Sequence, residues 1–106
     1  MSAVGKQLVQ ALRCVAGGGQ KVTHSTGAST ATASAAPTGI THFCIVSEQD
    51  VWMEVGDSTN NPATADTSKI IAGDKLDRYF KITQGQKVML RSKTTGGDAW
   101  IHWMTL

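Results

Sequence analysis

The chain has 106 residues, and its 10 lysines and arginines against 8 acidic residues leave a formal charge of +2. This length predicts one domain, and so low a charge argues against disorder. The composition excludes a membrane-spanning segment, because no apolar run reaches roughly 18 residues, and it excludes a strongly basic nucleic-acid-binding surface. No secretory signal is visible in residues 1–6.

Near the N-terminus, residues 7–15 contain apolar side chains whose spacing fits either a helix or a strand. We favour the strand because every later element is predicted to be a strand. The three glycines at 17–19 are expected to end it, since glycine runs interrupt regular structure. Residues 21–23 then predict a short second strand.

A stretch without bulky side chains follows at residues 25–39, of which 28–36 are Ala, Ser and Thr only. It is either a solvent-facing loop or an extended arm that becomes ordered on a neighbouring subunit, and we favour the loop. We therefore expect residues 1–39 to form an N-terminal strand and a flexible arm or loop. Residues 40–106 are expected to form the β-sandwich core of the same single domain.

Two strands are predicted in the middle of the chain. Residues 40–46 are rich in β-branched and aromatic side chains. In residues 50–56 the apolar side chains of Val51, Met53 and Val55 fall on one face, as the period of two in a strand requires. The connection between these segments is short, which predicts that they pair as antiparallel neighbours.

The second half of the chain continues this pattern after a polar loop at 57–68. Residues 69–74 predict a short strand and a turn, and residues 78–91 predict a strand, a four-residue turn and another strand. Gly85 occupies the turn position at which a positive φ is required. Residues 98–106 are apolar on both faces, which is typical of a central strand or of one pressed against another chain.

Short alternating strands separated by turn residues predict an all-β protein. Seven or eight such strands favour a small antiparallel β-sandwich or a jelly-roll barrel. The segment before residue 40 adds an extended N-terminal arm to this architecture.

The residues that could support chemistry do not form a recognisable catalytic or metal site. No acid pair, nucleophile elbow or phosphate-binding loop is present. His42 and Cys44 alternate onto one strand face, but His24 and His102 lie elsewhere and no second close-spaced pair completes a zinc site. Cys14 and Cys44 are expected to be reduced and buried, with a disulfide as the alternative. We predict no enzyme activity, no cofactor and no metal.

Charge is distributed unevenly along the chain, because no acidic residue precedes Glu48. Lys6, Arg13 and Lys21 give the first 47 residues a charge of +3. A basic N-terminal part could bind an acidic surface, and three charges over this length could equally have no role. We take these three residues as candidate interface residues.

The tryptophans Trp52, Trp100 and Trp103 allow two interpretations. Tryptophan is most often a core residue, and it is also enriched in the hot spots of protein interfaces. Trp100 and Trp103 are three positions apart, so on a strand they face opposite ways and at most one of them lines the core. All three are candidate interface residues.

Several segments together resemble a known family. They are residues 50–56 (DVWMEVG), the loop residues 62–65 (PATA) and residues 79–88 (YFKITQGQKV). The chain is similar over residues 40–106, and more weakly at 10–15, to small virion proteins of tailed bacteriophages. These proteins are encoded among head genes as decoration, cement or head-completion components.

The resemblance implies a non-enzymatic structural protein on the capsid surface of a virion, made in the host cytoplasm. Its implied partner is the major capsid protein, with self-association as a dimer or trimer and no contact with nucleic acid or membrane. In such proteins the turn often reads Thr-Pro-Gly, and Gln84 takes the place of the proline here. The alternatives are a tail or receptor-binding accessory module and a small carbohydrate-binding β-domain.

Overall fold

A computed structural model of the chain describes residues 12–57, 63 and 68–106. This part of the chain forms eight strands: β1 (Arg13–His24), β2 (Thr30–Ala31), β3 (His42–Ser47), β4 (Val51–Gly56), β5 (Lys69–Ile71), β6 (Arg78–Lys81), β7 (Lys87–Ser92) and β8 (Gly97–Thr105). It contains no helix, and therefore none that is long and apolar enough to cross a membrane.

The strands form two four-stranded antiparallel sheets. Sheet A has the order β1-β8-β3-β6, and sheet B has the order β2-β7-β4-β5. In these sheets β1 pairs with β8, β2 with β7, β3 with β6 and β4 with β5, which is the pairing of one long hairpin rolled up on itself. Such a rolled hairpin is an eight-stranded jelly roll. The predicted all-β class and small antiparallel sandwich are confirmed.

The core lies between the two sheets, because every second side chain of a strand points inward. On β3, Phe43 and Ile45 are fully buried, and on β4, Val51 and Met53 join them in the same apolar cluster. The ring of Phe43 also lies 5.7 Å from that of Phe80 on β6, measured between centroids. Each large apolar side chain buried in this way contributes roughly 1.5–3 kcal/mol to folding.

Strand β8 lies in the centre of sheet A, between β1 and β3. Its inward side chains, Ile101 and Trp103, are buried in the core, whereas Trp100 is 44% exposed on the other face. The prediction that the two tryptophans face opposite ways is confirmed. The apolar pattern on both faces of this segment corresponds to its central position.

The predicted pairing of residues 40–46 with residues 50–56 is wrong. The two segments are strands, but β3 lies in sheet A and β4 in sheet B. Glu48 N donates to Asp98 O at 3.2 Å, which keeps the end of β3 beside β8. The short connection therefore crosses from one sheet to the other. A short loop fixes the proximity of two strands without fixing which sheet each one joins.

The strand, turn and strand predicted in residues 78–91 are present, with the same division between sheets. β6 belongs to sheet A and β7 to sheet B. Gly85 has a φ of 89°, so the predicted positive φ is confirmed. Its N–H donates to Ala36 O at 2.8 Å, and Gln86 N donates to Thr83 O at 3.0 Å. These bonds hold the corner at which the chain passes from one sheet to the other.

The glycine run at 17–19 does not end a strand, contrary to the prediction. β1 continues through it to His24 and includes residues 21–23, which were predicted to form a separate strand. The register with β8 shifts between Cys14 and Gly19, and Gly17 has a φ of 73°. The glycines therefore form a bulge, in which extra residues bend the strand without ending it. Of the predicted strand at 7–15, residues 7–11 lie outside the described part.

Residues 25–39 are mostly an exposed connection, in line with the favoured loop, but part of the segment also pairs within the sandwich. They contain β2, which pairs with β7. Thr32 N donates to Val88 O at 2.9 Å, and Ala36 N donates to Gln86 O at 2.8 Å. Both residues are buried. Small side chains permit this close approach of backbones, and a boundary at residue 39 would divide both sheets. The remaining candidate for an arm, residues 1–11, lies outside the described part.

Candidate functional site

The outer face of sheet A carries a groove with a volume of about 460 Å³. Side chains from all four strands of the sheet, and from the residue before β6, form its surface. We call it the sheet A groove, and it is lined by Cys14, Gly19, Gln20, Lys21, Cys44, Val46, Asp77, Tyr79, Trp100, Ile101, His102 and Met104.

The groove is largely apolar because the alternation of β3 and β8 places apolar side chains on both faces of sheet A. Val46 and Met104 line it, and Met104 is almost fully buried. Two aromatic side chains remain open to solvent, with Tyr79 51% exposed and Trp100 44% exposed. Exposed aromatic rings around an apolar floor are the composition found at the centre of protein interfaces.

The glycine bulge of β1 shapes one side of the groove. A side chain at Gly19 would place its Cβ 3.0 Å from the His102 ring, so glycine leaves room for that ring. His102 Nε2 lies 2.9 Å from Val15 O. Since a carbonyl oxygen only accepts, Nε2 carries the proton and donates it. The bulge thus supplies the acceptor that holds the His102 ring in place.

The two cysteines line the same groove, and both are free thiols. Cys14 is exposed, so the prediction that both are buried is wrong for this residue. β8 lies between the strands that carry them, which separates their Cα atoms by about two strand spacings, roughly 9–10 Å. A disulfide requires less than about 7 Å, so the pair stays reduced within one chain. Burial, followed by the nearby Asp77 carboxylate, raises the pKa of the Cys44 thiol.

Opposite charges lie at the two edges of the groove. Lys21 is on β1 at one edge, and Asp77 precedes β6 at the other, and both are exposed. Asp77 Oδ2 lies 3.4 Å from the Tyr79 hydroxyl, a long hydrogen bond that the hydroxyl donates. Cys44 raises the pKa of Tyr79, with smaller contributions in the same direction from burial and from the Asp77 carboxylate. The phenol is therefore neutral at physiological pH and can donate a hydrogen bond.

The structure separates the predicted interface residues. Lys21 and Trp100 face each other across the β1–β8 pair and both line the groove. Arg13 is exposed at the start of β1, and Lys6 lies outside the described part. Trp52 is half-buried on β4 in sheet B, and it pairs with Arg91. Trp103 is a core residue, so it cannot contact a partner directly.

Apart from Lys21 and Trp100, the groove residues were not predicted as site residues, among them Cys44, Tyr79 and Met104. The period-two pattern already placed Met104 on the same face as Trp100, and it placed Tyr79 on the opposite face from Phe80, which packs against the core. That pattern identifies each strand's outer face. It does not show that β1, β8, β3 and β6 are neighbours, and only this strand order brings the residues together.

A second cluster, His24 and Ser92, lies between the sheets. His24 Nδ1 and Ser92 Oγ are 2.5 Å apart, and both residues are buried. Burial lowers the pKa of His24, against an opposing contribution from Asp98 and Glu48. His24 Nε2 is buried without a hydrogen-bond partner among the described residues. Neither side chain reaches the surface, so this pair links the two sheets and is closed to a substrate.

Within the part of the chain that is described, no group of three or more His, Cys, Asp or Glu side chains is placed to hold a metal ion. The chain matches no protein-family model, no curated protein and no solved structure. The sheet A groove has an apolar floor, two exposed aromatic rings and one charged side chain of each sign.

Proposed function

We propose that the chain is a non-enzymatic structural protein of a bacteriophage virion that decorates the head. In this role it binds the major capsid protein and stabilises the capsid as a decoration or cement protein. The resemblance of residues 40–106 to such proteins supports the proposal. Jelly rolls serve in viral capsids and also in lectins, so the fold is compatible with the role without specifying it.

The observation that carries the proposal is the sheet A groove, which has the properties of a surface through which a structural protein associates with another chain. Large apolar side chains that stay exposed on a small protein mark a surface that a partner covers. Tyr79 and Trp100 provide wide rigid contact areas, and both have a polar group for hydrogen bonding. Lys21 and Asp77 at the edges supply the charged rim that gives such a surface its orientation.

Attachment to the capsid is assigned to the basic N-terminal residues, among them Lys6 and Arg13. Arg13 begins β1 and is exposed at the edge of sheet A. A cationic segment next to a rigid module can bind an acidic capsid surface through long-range attraction. Exposed charges are screened beyond about 8 Å near physiological ionic strength. Attachment that depends on these residues weakens as the salt concentration rises.

The test uses capsid particles that lack this protein, to which the purified chain is added before the particles are sedimented. Deletion of residues 1–11 removes Lys6 and leaves all eight described strands, whereas a cut near residue 38 would remove β1 and β2. Arg13→Glu reverses the exposed charge, and Lys93→Glu is the matched reversal outside the groove and the N-terminal segment. We expect binding by the intact chain and by Lys93→Glu, with weaker binding by the other two.

Failure of the intact chain to bind at any salt concentration would overturn the proposed function. Undiminished binding after deletion of residues 1–11 would move the attachment site to the sandwich. Fractionation of virions separates head from tail, and recovery with the tail would favour the accessory-module alternative.

A second candidate function, carbohydrate binding, is favoured by the two exposed rings of Tyr79 and Trp100 in one groove. Aromatic faces stack on the C–H faces of sugars, and Lys21, Asp77 and His102 would supply hydrogen bonds to hydroxyl groups. A glycan array probed with the purified chain and with Trp100→Ala tests it. Binding of one glycan class that the substitution abolishes would support this function over capsid decoration.

A further inference from the structure

The outer face of sheet A carries its charges at opposite edges of a single row. The strand registers align Lys21 of β1 with Trp100 of β8, and Trp100 with Val46 of β3. Ile45 pairs with Arg78, so Asp77 comes level with Val46 at the far edge. One row across the sheet therefore reads cation, indole, small apolar side chain, anion.

The neighbouring row differs in height between its two ends. It consists of Gly19, His102, Cys44 and Tyr79, which are paired in that order across the sheet. At the β1 edge, Gly19 has no side chain and the His102 ring lies close against it. At the β6 edge, Tyr79 projects into solvent. The row is low at one end and high at the other.

We propose that the sheet A groove is covered by a second copy of this chain, related by a two-fold axis parallel to the strands. Such an axis between β8 and β3 places β1 over β6 of the second copy. Lys21 of each copy then faces Asp77 of the other, Trp100 faces Val46, and Tyr79 faces the low position at Gly19. The inference rests on the proposed function of the groove as a protein-binding surface, and it names the protein that binds.

The same rotation has a cost, because it brings Asp98 near Glu48 of the second copy. These residues are neighbours at the end of β3 and β8, where Glu48 N donates to Asp98 O. Both side chains are half-exposed, so water and counter-ions screen the repulsion. Four strands spaced about 4.8 Å apart and about 20 Å long give roughly 400 Å² for each copy. That area is small for a stable dimer, so association is weak and depends on concentration.

The experiment measures the mass of the full chain by sedimentation equilibrium from low micromolar to millimolar concentration. Lys21→Glu and Asp77→Lys each place like charges opposite one another, so each variant alone is expected to dissociate at least about tenfold more readily. An equimolar mixture of the two variants places opposite charges at both edges, the exchanged Glu–Lys pair at one and the natural Lys21–Asp77 pair at the other, and restores a heterodimer. Lys93→Glu, which lies outside the groove, is the control that keeps the dimerisation of the natural chain.

A natural chain that stays monomeric over the whole range would overturn the inference, as would a mixture that associates no better than each variant alone. Circular dichroism of each variant confirms that it is folded before it is compared. The two proposals fail separately. If the chain is monomeric but binds capsid particles, the proposed dimer is wrong and the proposed function stands. If it dimerises but binds no particle, the proposed function is wrong and the dimer interface stands.

Discussion

The two outer faces of the sandwich differ in what covers them. On sheet A, Tyr79 and Trp100 are 51% and 44% exposed. On sheet B, Met89 faces outward between the core residues Val88 and Leu90, yet it is only 1% exposed. Ala63, from the connection between β4 and β5, is buried as well. The chain covers Met89 on the outer face of sheet B, although Ile70 at the β5 edge of that face is 55% exposed, and it leaves Tyr79 and Trp100 of sheet A exposed. We call the outer face of sheet A the open face.

The contrast shows that burial and orientation toward the core are separate properties. Strand alternation assigns Met89 and Trp100 to outer faces alike. On the sheet B side, Ala63 N donates to Ser29 Oγ at 3.0 Å, and the Ser68 hydroxyl donates to Glu54 at 3.0 Å. These bonds attach two described residues of the connection, Ala63 and Ser68, to the rest of the sandwich. An apolar residue on an outer face is therefore informative only once the path of the long connections is known.

The largest expected effect is a difference in the free energy of unfolding between the variants Met89→Ala and Tyr79→Ala. Met89 is packed as tightly as a core residue, so its truncation should cost about 2–5 kcal/mol. Tyr79 is half exposed, and its truncation should cost less than about 1 kcal/mol. Urea denaturation of dilute protein measures both free energies of unfolding. Equal losses in the free energy of unfolding would mean that Tyr79 contributes to folding as much as Met89, which would contradict the difference drawn between the two outer faces.

A smaller loss of stability is expected at Gly85, in the turn where the chain passes from sheet A to sheet B. Gly85→Val should destabilise the protein by roughly 1–2 kcal/mol or more, because a β-branched residue is strained at positive φ. Nothing lies within 4 Å of the position that a side chain would take there, so the backbone alone causes the loss. Gly27 has equally open surroundings without a positive φ, and Gly27→Val is the matched control. Similar denaturation midpoints for the two variants would contradict this account.

The histidine between the sheets predicts a pH dependence of stability. Burial lowers the pKa of His24 from its ordinary value of 6.5, so above that pH the ring is neutral in the folded and the unfolded chain. Below it the unfolded chain binds a proton that the folded chain resists, and the free energy of unfolding falls. The decrease should appear between pH 6.5 and about 5, before most carboxylates titrate.

Denaturation measured across this pH range checks the prediction. His24→Asn should remove the decrease, and His42→Asn should retain it because His42 lies on the outer face of β3. A decrease that survives in His24→Asn would assign the effect to another group.

The smallest expected effect is a difference in thiol reactivity between Cys14 and Cys44, which both line the sheet A groove. Cys14 is exposed, whereas Cys44 is half-buried with a raised pKa, so Cys44 should react more slowly with a thiol reagent. Mass spectrometry of labelled peptides follows the two rates. Raising the protein concentration should slow Cys44 further if a second copy covers the groove. Equal rates at every concentration would show that the open face shields neither thiol.

Much of the fold is predictable from the sequence because strand formation depends on neighbouring residues. The alternation in residues 50–56 predicted a strand and its inward face, and that in residues 98–106 predicted a strand without showing which face is inward. Gly85 predicted its turn, because only glycine adopts a positive φ easily. Pairing is a different matter. β3 and β4 are separated by a short connection, yet β3 pairs within sheet A and β4 within sheet B. Nothing in the local sequence shows whether two such strands pair with each other or join different sheets.

The open face was predictable only in part, for the same reason. Lys21 and Trp100 were singled out by charge and residue type, and they proved to be paired neighbours. Tyr79 lies 21 residues before Trp100 in the sequence, and only the strand order brings both to one groove. The glycine run misled because a bulge and a strand end have the same composition. Only the partner strand shows whether pairing resumes after the glycines.

The position of β8 determines when the open face can exist during protein synthesis. It is the latest of the eight strands to leave the ribosome, yet both β1 and β3 pair with it in the centre of sheet A. Sheet B needs nothing beyond β7, so it can begin to assemble while β8 is still being translated. Contacts between distant parts of a chain also form slowly. A chain that lacks β8 therefore has no sheet A groove, and the groove forms only after β8 has paired with β1 and β3.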